Sequence, residues 1–154
     1  MLIAPEDPAT PDVTALLVAH LDDMHAESPP ESVHALDVEA LRRDHITFLA
    51  ARDGDGSLMG IGAIAQIAPG HGELKSMRTV PAFRGRGVAA AVVDALLALA
   101  RERGYSEVSL ETGTQDYFSA AHRLYERAGF VECGPFGSYA LDPHSRFYSL
   151  ALTV

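Results

Sequence analysis

The residues whose types and spacing most directly point to chemistry are Arg84-Gly85-Arg86-Gly87, at the mouth of a long apolar stretch. Glycines lack a Cβ and reach φ > 0, so successive N–H groups can point into one concavity, and the two arginines add positive charge at its rim. Val88-Ala89-Ala90-Ala91 follows, a small-sided first turn for a helix running to about Arg103. Its apolar positions are Val88, Val92, Val93, Leu96, Leu97, Leu99 and Ala100, and Gly104 is placed to end it. The free amides and dipole of a helix start favour an anion if the backbone can be approached. Ahead of the loop, Glu73 to Val80 reads as an extended segment closed by Pro81. Strand, glycine loop and helix in that order fit a phosphate or pyrophosphate. A lone G-x-G would be no more than turn glycines beside solvated arginines.

Two motifs make these residues resemble a known family. Arg84-x-x-Gly87-x-Ala89 resembles the Arg/Gln-x-x-Gly-x-Gly/Ala signature of the GNAT acyltransferase superfamily, with V-P-A-F-R before it. Downstream, A-A-H-R-L-Y-E-R-A-G-F (Ala120 to Phe130) is similar to that family's A-x-x-L-Y-E-x-x-G-F helix. The resemblance covers about residues 60–130. A bacterial subgroup with E-[IL]-K-x-M-R on the strand and S-L-E-T-G after the helix is also similar. The resemblance implies an α/β fold with a central mixed, mostly antiparallel sheet and helices on both faces. It also implies acetyl-CoA as cosubstrate and an amine as acceptor.

Residue roles follow from the same resemblance. Acetyl-CoA is expected along Met77, Thr79 and Val80 of the strand and on Arg84, Gly85, Arg86, Gly87, Val88 and Ala89. Such binding requires a strand edge with free backbone groups, where the Glu73 and Glu107 strands splay at a bulge. Neither face of Glu73 to Val80 is cleanly apolar, which suits a cleft wall. Tyr125 is expected to protonate the departing thiolate, a role within reach of a phenol. The acceptor amine must lose a proton before it can attack, because an ammonium has no lone pair, and a carboxylate, a histidine or a water held by one could take that proton. Glu73 is the first choice to take it and Glu111 the second. Direct transfer passes through a tetrahedral adduct whose oxyanion a strand amide would hold, which leaves Cys133 structural. His25, Ser28, Glu31 and His34 lie where the family shapes its acceptor pocket, and Glu111 joins them. Phe118 stands where the family often has Asn, which removes a polar contact to the CoA arm.

These residues need a scaffold, and 154 residues with 47% hydrophobic and 21% charged content make one ordinary domain spanning 1–154. The net charge of −9 disfavours nucleic acid. It mildly favours a cationic acceptor such as an amine. The longest apolar run, Val88 to Ala100, contains Asp94 and is too short for a bilayer, and the first residues lack a signal-peptide pattern. A soluble, cytoplasmic protein is expected, and one cysteine fits a reducing compartment. The seven histidines form no H-x-H or H-x-x-E-H pattern, so no metal is expected.

Along the chain, Met1 to Ala4 reads as a short strand. Thr10-Pro11 should cap and start a helix running to Met24 or His25, before Ser28-Pro29-Pro30 breaks it. Asp37 caps a second, short helix to Arg42. Ile46–52 and 58–67 form a hairpin across Asp53-Gly54-Asp55-Gly56, and Pro69-Gly70-His71-Gly72 turns into the Glu73 strand. Glu107 to Glu111 should pair parallel to it through a right-handed crossover. Ser119 is expected to cap a helix over Ala120 to Ala128, with Gly129 left-handed at its end. The tail from Arg146 to Val154 should form a last hairpin with a strand near Phe130. Its exposed edges leave a homodimer open by analogy of fold.

Two other readings compete. Gly85-x-Gly87-x-x-Ala90, with Glu111 ending the next strand, also fits the dinucleotide fingerprint of an oxidoreductase. Against it stand the polar Glu73 strand, the long Pro81-Ala-Phe-Arg84 turn and the preceding antiparallel strands. The second is a non-catalytic CoA-binding domain with the same fold.

Overall fold

A computed structural model describes residues 1–152. Seven strands form a single sheet: β1 (Leu2–Pro5), β2 (Ile46–Arg52), β3 (Leu58–Ala68), β4 (His71–Thr79), β5 (Glu107–Gly113), β6 (Val131–Cys133) and β7 (Ser145–Ala151). Their order across the sheet is β1-β2-β3-β4-β5-β7-β6. Every neighbouring pair is antiparallel except β4 and β5, which run parallel across the crossover helix. A mostly antiparallel sheet is not a doubly wound dinucleotide fold, so that competing reading falls here. Thr153 and Val154, the end of the expected last strand, lie outside the described residues.

The helices are α1 (Pro11–Glu27), α2 (Val38–Leu41), α3 (Val88–Glu102) and α4 (Ser119–Arg127). Alternation along β2 divides the core in two. Phe48 and Ala50 join Val13, Leu16, Leu17 and Leu41 of α1 and α2, whereas Leu49 and Ala51 join Val88, Val92, Val93, Leu96 and Leu97 of α3. Each large side chain buried this way stabilises the fold by about 1.5–3 kcal/mol before entropy is counted.

The glycines of β3 set how closely α3 lies on the sheet. A Cβ at Gly60 would stand 2.8 Å from Val88 Cγ1. One at Gly62 would stand 2.7 Å from Val92 Cγ1 and 2.5 Å from Met77 Sδ. The helix therefore beds directly on the β3 backbone, which fixes where its N-terminus opens.

Several element ends differ from the sequence reading. Helix α1 continues to Glu27, because no breaker precedes Ser28, and Thr10 takes the N-cap place without a capping side-chain bond. Its hydroxyl donates instead to the Asp7 carbonyl. Asp37 does cap α2, accepting from the Ala40 amide at 2.9 Å. Ser119 is not the cap of α4: it already has helical angles, because a 3-10 turn over Asp116–Phe118 feeds straight into the helix. Gly129 is left-handed (φ 101°), and Phe130 folds back on Tyr125 with ring centroids 5.9 Å apart.

Candidate active site

Strands β4 and β5 pair only from His71↔Glu107 to Leu74↔Leu110. Beyond Leu74, β4 keeps its ladder to β3 while β5 follows β7, so the two strands separate. A bulge lies at the split: the β3 register shifts between Ile61 and Ala63, and Ser76 holds φ 57°, the one positive value outside glycine among the described residues. Strain at a bulge of this kind turns backbone groups out of the ladder. The gap opens into a cleft of about 630 Å³ between α1, the glycine loop, α4 and the segment before β7.

At one end of the cleft, Gly85 (φ 76°) and Gly87 (φ 77°) are both left-handed, and Gly87 is the residue from which α3 starts. No neighbour stands within 4 Å of where their Cβ atoms would be, so the loop faces open space. Of the residues expected to hold acetyl-CoA, Met77, Thr79, Arg84, Gly85, Gly87, Val88 and Ala89 line the cleft. Val80 and Arg86 do not. Val80 turns its amide back to the Met59 carbonyl, and Arg86 lies over the Phe83 ring, 5.4 Å from its centroid. An anion at the loop would meet free amides, a helix N-terminus and Arg84, which fits a phosphate-bearing group.

Tyr125 stands on α4 in the wall of the cleft and is 6% exposed. Burial is the one cause that raises its phenol, well above the usual tyrosine range, so the hydroxyl stays protonated. Phe118, at the family's Asn position, is buried beneath Gly113, where any Cβ would enter its ring. An apolar side chain there serves packing.

The other end of the cleft carries two carboxylates. Glu73, 5% exposed, accepts from Lys75 Nζ at 3.2 Å and from the Tyr139 hydroxyl at 2.5 Å, both on Oε2. Glu111 accepts from His34 Nδ1 at 2.6 Å and from Ser145 Oγ at 3.0 Å. Burial pushes the Glu111 carboxyl above its ordinary range, with His34, Ser145 and Lys75 pulling the other way. Of the expected acceptor residues, Ser28, His34 and Glu111 line the cleft, whereas His25 and Glu31 are exposed outside it. The chain between α1 and α2 thus contributes Ser28 at its start and Ser32 to Ala35 in its middle.

Arg78 was not foreseen as a site residue. Its guanidinium pairs with Asp23 of α1 and donates to the Tyr117 hydroxyl at 3.1 Å. Beside it, buried His20 is pushed down to about 4, first by loss of solvent and then by the Arg78 charge. Lys75 and Tyr139 were also missed. Lys75 sits two residues from Glu73 on a strand, a signal that alternation offers; Tyr139, 66 residues away in an irregular segment, had none. Among the described residues no group of three or more His, Cys, Asp or Glu is placed to hold a metal ion, and no helix is long and apolar enough to cross a membrane.

A mixed sheet split at a bulge, with a glycine loop on one side of the split and a buried tyrosine on another, defines an acyltransferase architecture. The chain matches the model of the acetyltransferase (GNAT) family over residues 13–130, and it belongs to that family. It is 49% identical to the uncharacterized N-acetyltransferase YedL of Escherichia coli (strain K12), over 97% of this chain and 94% of that protein. A solved structure from Klebsiella pneumoniae, described as an acyl-CoA N-acyltransferase, superposes with a TM-score of 0.81. That match has 30% identity and covers 99% of this chain and 97% of the other. A Bacillus subtilis acetyltransferase solved in complex with CoA shares the fold, with a TM-score of 0.73 at 15% identity and 98% of each chain covered.

Proposed function

We propose that the protein transfers the acetyl group of acetyl-CoA directly to a primary amine of a small molecule or peptide. The observation that carries this reading is the split between β4 and β5, which joins the glycine loop, Tyr125 and two carboxylates in one cleft. When bound, acetyl-CoA supplies the activated thioester. Gly85, Gly87, Arg84 and the start of α3 hold its phosphates, and the free edge of β4 from Ser76 to Thr79 orients the arm. A backbone amide at the Ser76 bulge would supply the donor for the oxygen on which charge develops, where a preorganised donor acts most strongly. Tyr125 gives its hydroxyl proton to the departing sulfur. Glu73, fixed by Lys75 and Tyr139, presents negative charge to the acceptor nitrogen.

No step needs a covalent link to the enzyme, and Cys133 is exposed away from the cleft lining. An exposed free thiol fits a reducing compartment, and the proposed setting is the cytoplasm. The test is thiol release from acetyl-CoA with a panel of primary amines, read together with a 42-dalton gain on the amine, about the mass of one acetyl replacing hydrogen in any such transfer. Binding of acetyl-CoA without acetylation of any amine would instead favour a CoA-binding domain that lacks the chemistry.

A further inference from the structure

Resting on the acetyltransferase reading, a choice arises between the two carboxylates at the acceptor end of the cleft. Protonating Glu73 would strip Lys75, whose side chain is 12% exposed, of its counter-charge. A buried charge that loses its partner is strongly disfavoured. Protonating the other pair has the opposite effect. Glu111 as a carboxylate offers only lone pairs, so His34 Nδ1 donates to it across 2.6 Å. That fixes the tautomer and leaves the lone pair on Nε2. A positive charge formed on the ring would face a carboxylate already in place.

The geometry supports access as well as charge. The His34 side chain is 36% exposed and lines the cleft, whereas that of Glu111 is 12% exposed. Its ring is held edge-on to Tyr139, with centroids 5.0 Å apart. Ser145 Oγ fixes Glu111 from the opposite strand. The titratable and charged groups around the ring are Glu111 of β5, Glu73 and Lys75 of β4, and Tyr139, Asp142 and His144 of the segment before β7.

We propose that His34, oriented by Glu111, is the proton acceptor of the transfer, and that Glu73 holds the acceptor's charge instead of taking its proton. The acceptor, held as an ammonium by Glu73, first gives one proton to His34 Nε2; the lone pair so freed attacks the thioester carbonyl carbon, the C–N bond forms and the C–S bond breaks. The sulfur takes the hydroxyl proton of Tyr125, and the nitrogen's second proton passes to solvent. Imidazolium and phenolate then return to their starting states by exchange with solvent, so the products are an amide and a free thiol. Glu111 remains a carboxylate throughout.

Two readouts on the full chain test this. Ring-nitrogen NMR, with His34 assigned by the signal missing in His34→Gln, should show the neutral ring with Nδ1 protonated and Nε2 bare. An Nε2–H tautomer overturns the proposal. The second readout is kcat and KM for thiol release from acetyl-CoA at one fixed pH, with benzylamine, spermidine, L-lysine and an alanine-initiated peptide as probes. His34→Gln should lower kcat about 100-fold with KM for the amine little changed. Glu111→Gln should lower kcat by less, because the ring stays but the group that orients it is gone. Glu73→Gln should raise KM for the amine and leave kcat near the wild-type value. A kcat that His34→Gln leaves intact, or that Glu73→Gln abolishes, overturns the His34 assignment and leaves the acetyltransferase reading standing. No thiol release with any probe, wild type included, overturns that reading and this inference with it.

Discussion

Tyr125 and His20 are two buried polar residues that line the same cleft, and each lends itself to a direct test. Replacing Tyr125 by Phe removes the hydroxyl and keeps the ring packed on Phe130, so acetyl-CoA affinity should stay within about twofold. The value of kcat should fall about 100-fold, the usual worth of one positioned proton donor. Steady-state kinetics beside a binding titration checks both halves. His20 is held neutral by burial, with its folded value near 4 against 6.5 free. The unfolded chain therefore binds a proton in that window that the folded chain refuses, and stability must fall as pH drops from 6.5 towards 4. The span amounts to roughly 3 kcal/mol at about 1.4 kcal/mol per pH unit. His20→Leu should flatten that part of the profile in urea unfolding run at several pH values. An unchanged slope would assign the acid sensitivity elsewhere.

At the same scale, legibility in the sequence followed the reach of local motifs. Arg84, Gly85, Gly87 and Tyr125 lie inside short patterns whose spacing carries their geometry. Glu73 and Glu111 were visible as polar residues on strands. Two long-range pairings were not: Tyr139 reaches Glu73 across 66 residues, and Asp23 reaches Arg78 across 55. Such contacts exist only once the sheet has formed, and nothing in the local composition marks them.

At the scale of elements, β3 and α3 are coupled by the bare backbone at Gly60 and Gly62. A methyl at Gly62 would meet Met77, Val92 and Leu96 together. Gly62→Ala should cost about 1–3 kcal/mol as an overpacked core position, measured by chemical denaturation. It should also weaken acetyl-CoA binding, because α3 carries the N-terminus on which the loop depends. The periodicity of α3 and the hairpin β2–β3 were plain in the sequence, since each is built from contacts within about 20 residues. The starts of α1 and α4 were less plain. Thr10 and Ser119 look like caps, but their hydroxyls are not what closes those helices. A neighbouring turn supplies the geometry in the second case.

Arg52 ties β2 to the start of the chain, donating to Glu6 and Asp12 at once. The bonds join two residues 40 and 46 positions away in sequence, so they form with the sheet edge and not before it. Arg52→Met should lower stability by about 2 kcal/mol, in the range for hydrogen bonds to charged groups, with acetyl-CoA binding unchanged because the cluster lies away from the cleft. Thermal unfolding followed by a binding titration at 25 °C separates the two effects.

Over the whole molecule, charge is distributed against its average. The chain carries a net −9, yet the glycine loop places Arg84 and Arg86 at the mouth of a helix start. Overall acidity therefore says little about the cofactor, and the field that matters is local. The sheet order explains why the fold was legible in outline: strands β1 to β4 follow the chain one after another, each beside the last. The exception is β7, which returns from the end of the chain to insert between β5 and β6. A sequence pattern reports that a tail is strand-forming, but the partner it displaces is decided by the sheet.

The central claim is that the glycine loop and the free edge of β4 form a CoA site, and calorimetric titration with acetyl-CoA tests it most directly, with NADH and NADPH as controls. Saturable binding of acetyl-CoA alone is expected, reduced at least tenfold by Gly87→Glu, which places a like charge and a strained side chain at the proposed phosphate site. Binding of a nicotinamide cofactor with no response to acetyl-CoA, or acetyl-CoA binding that Gly87→Glu leaves intact, would contradict it.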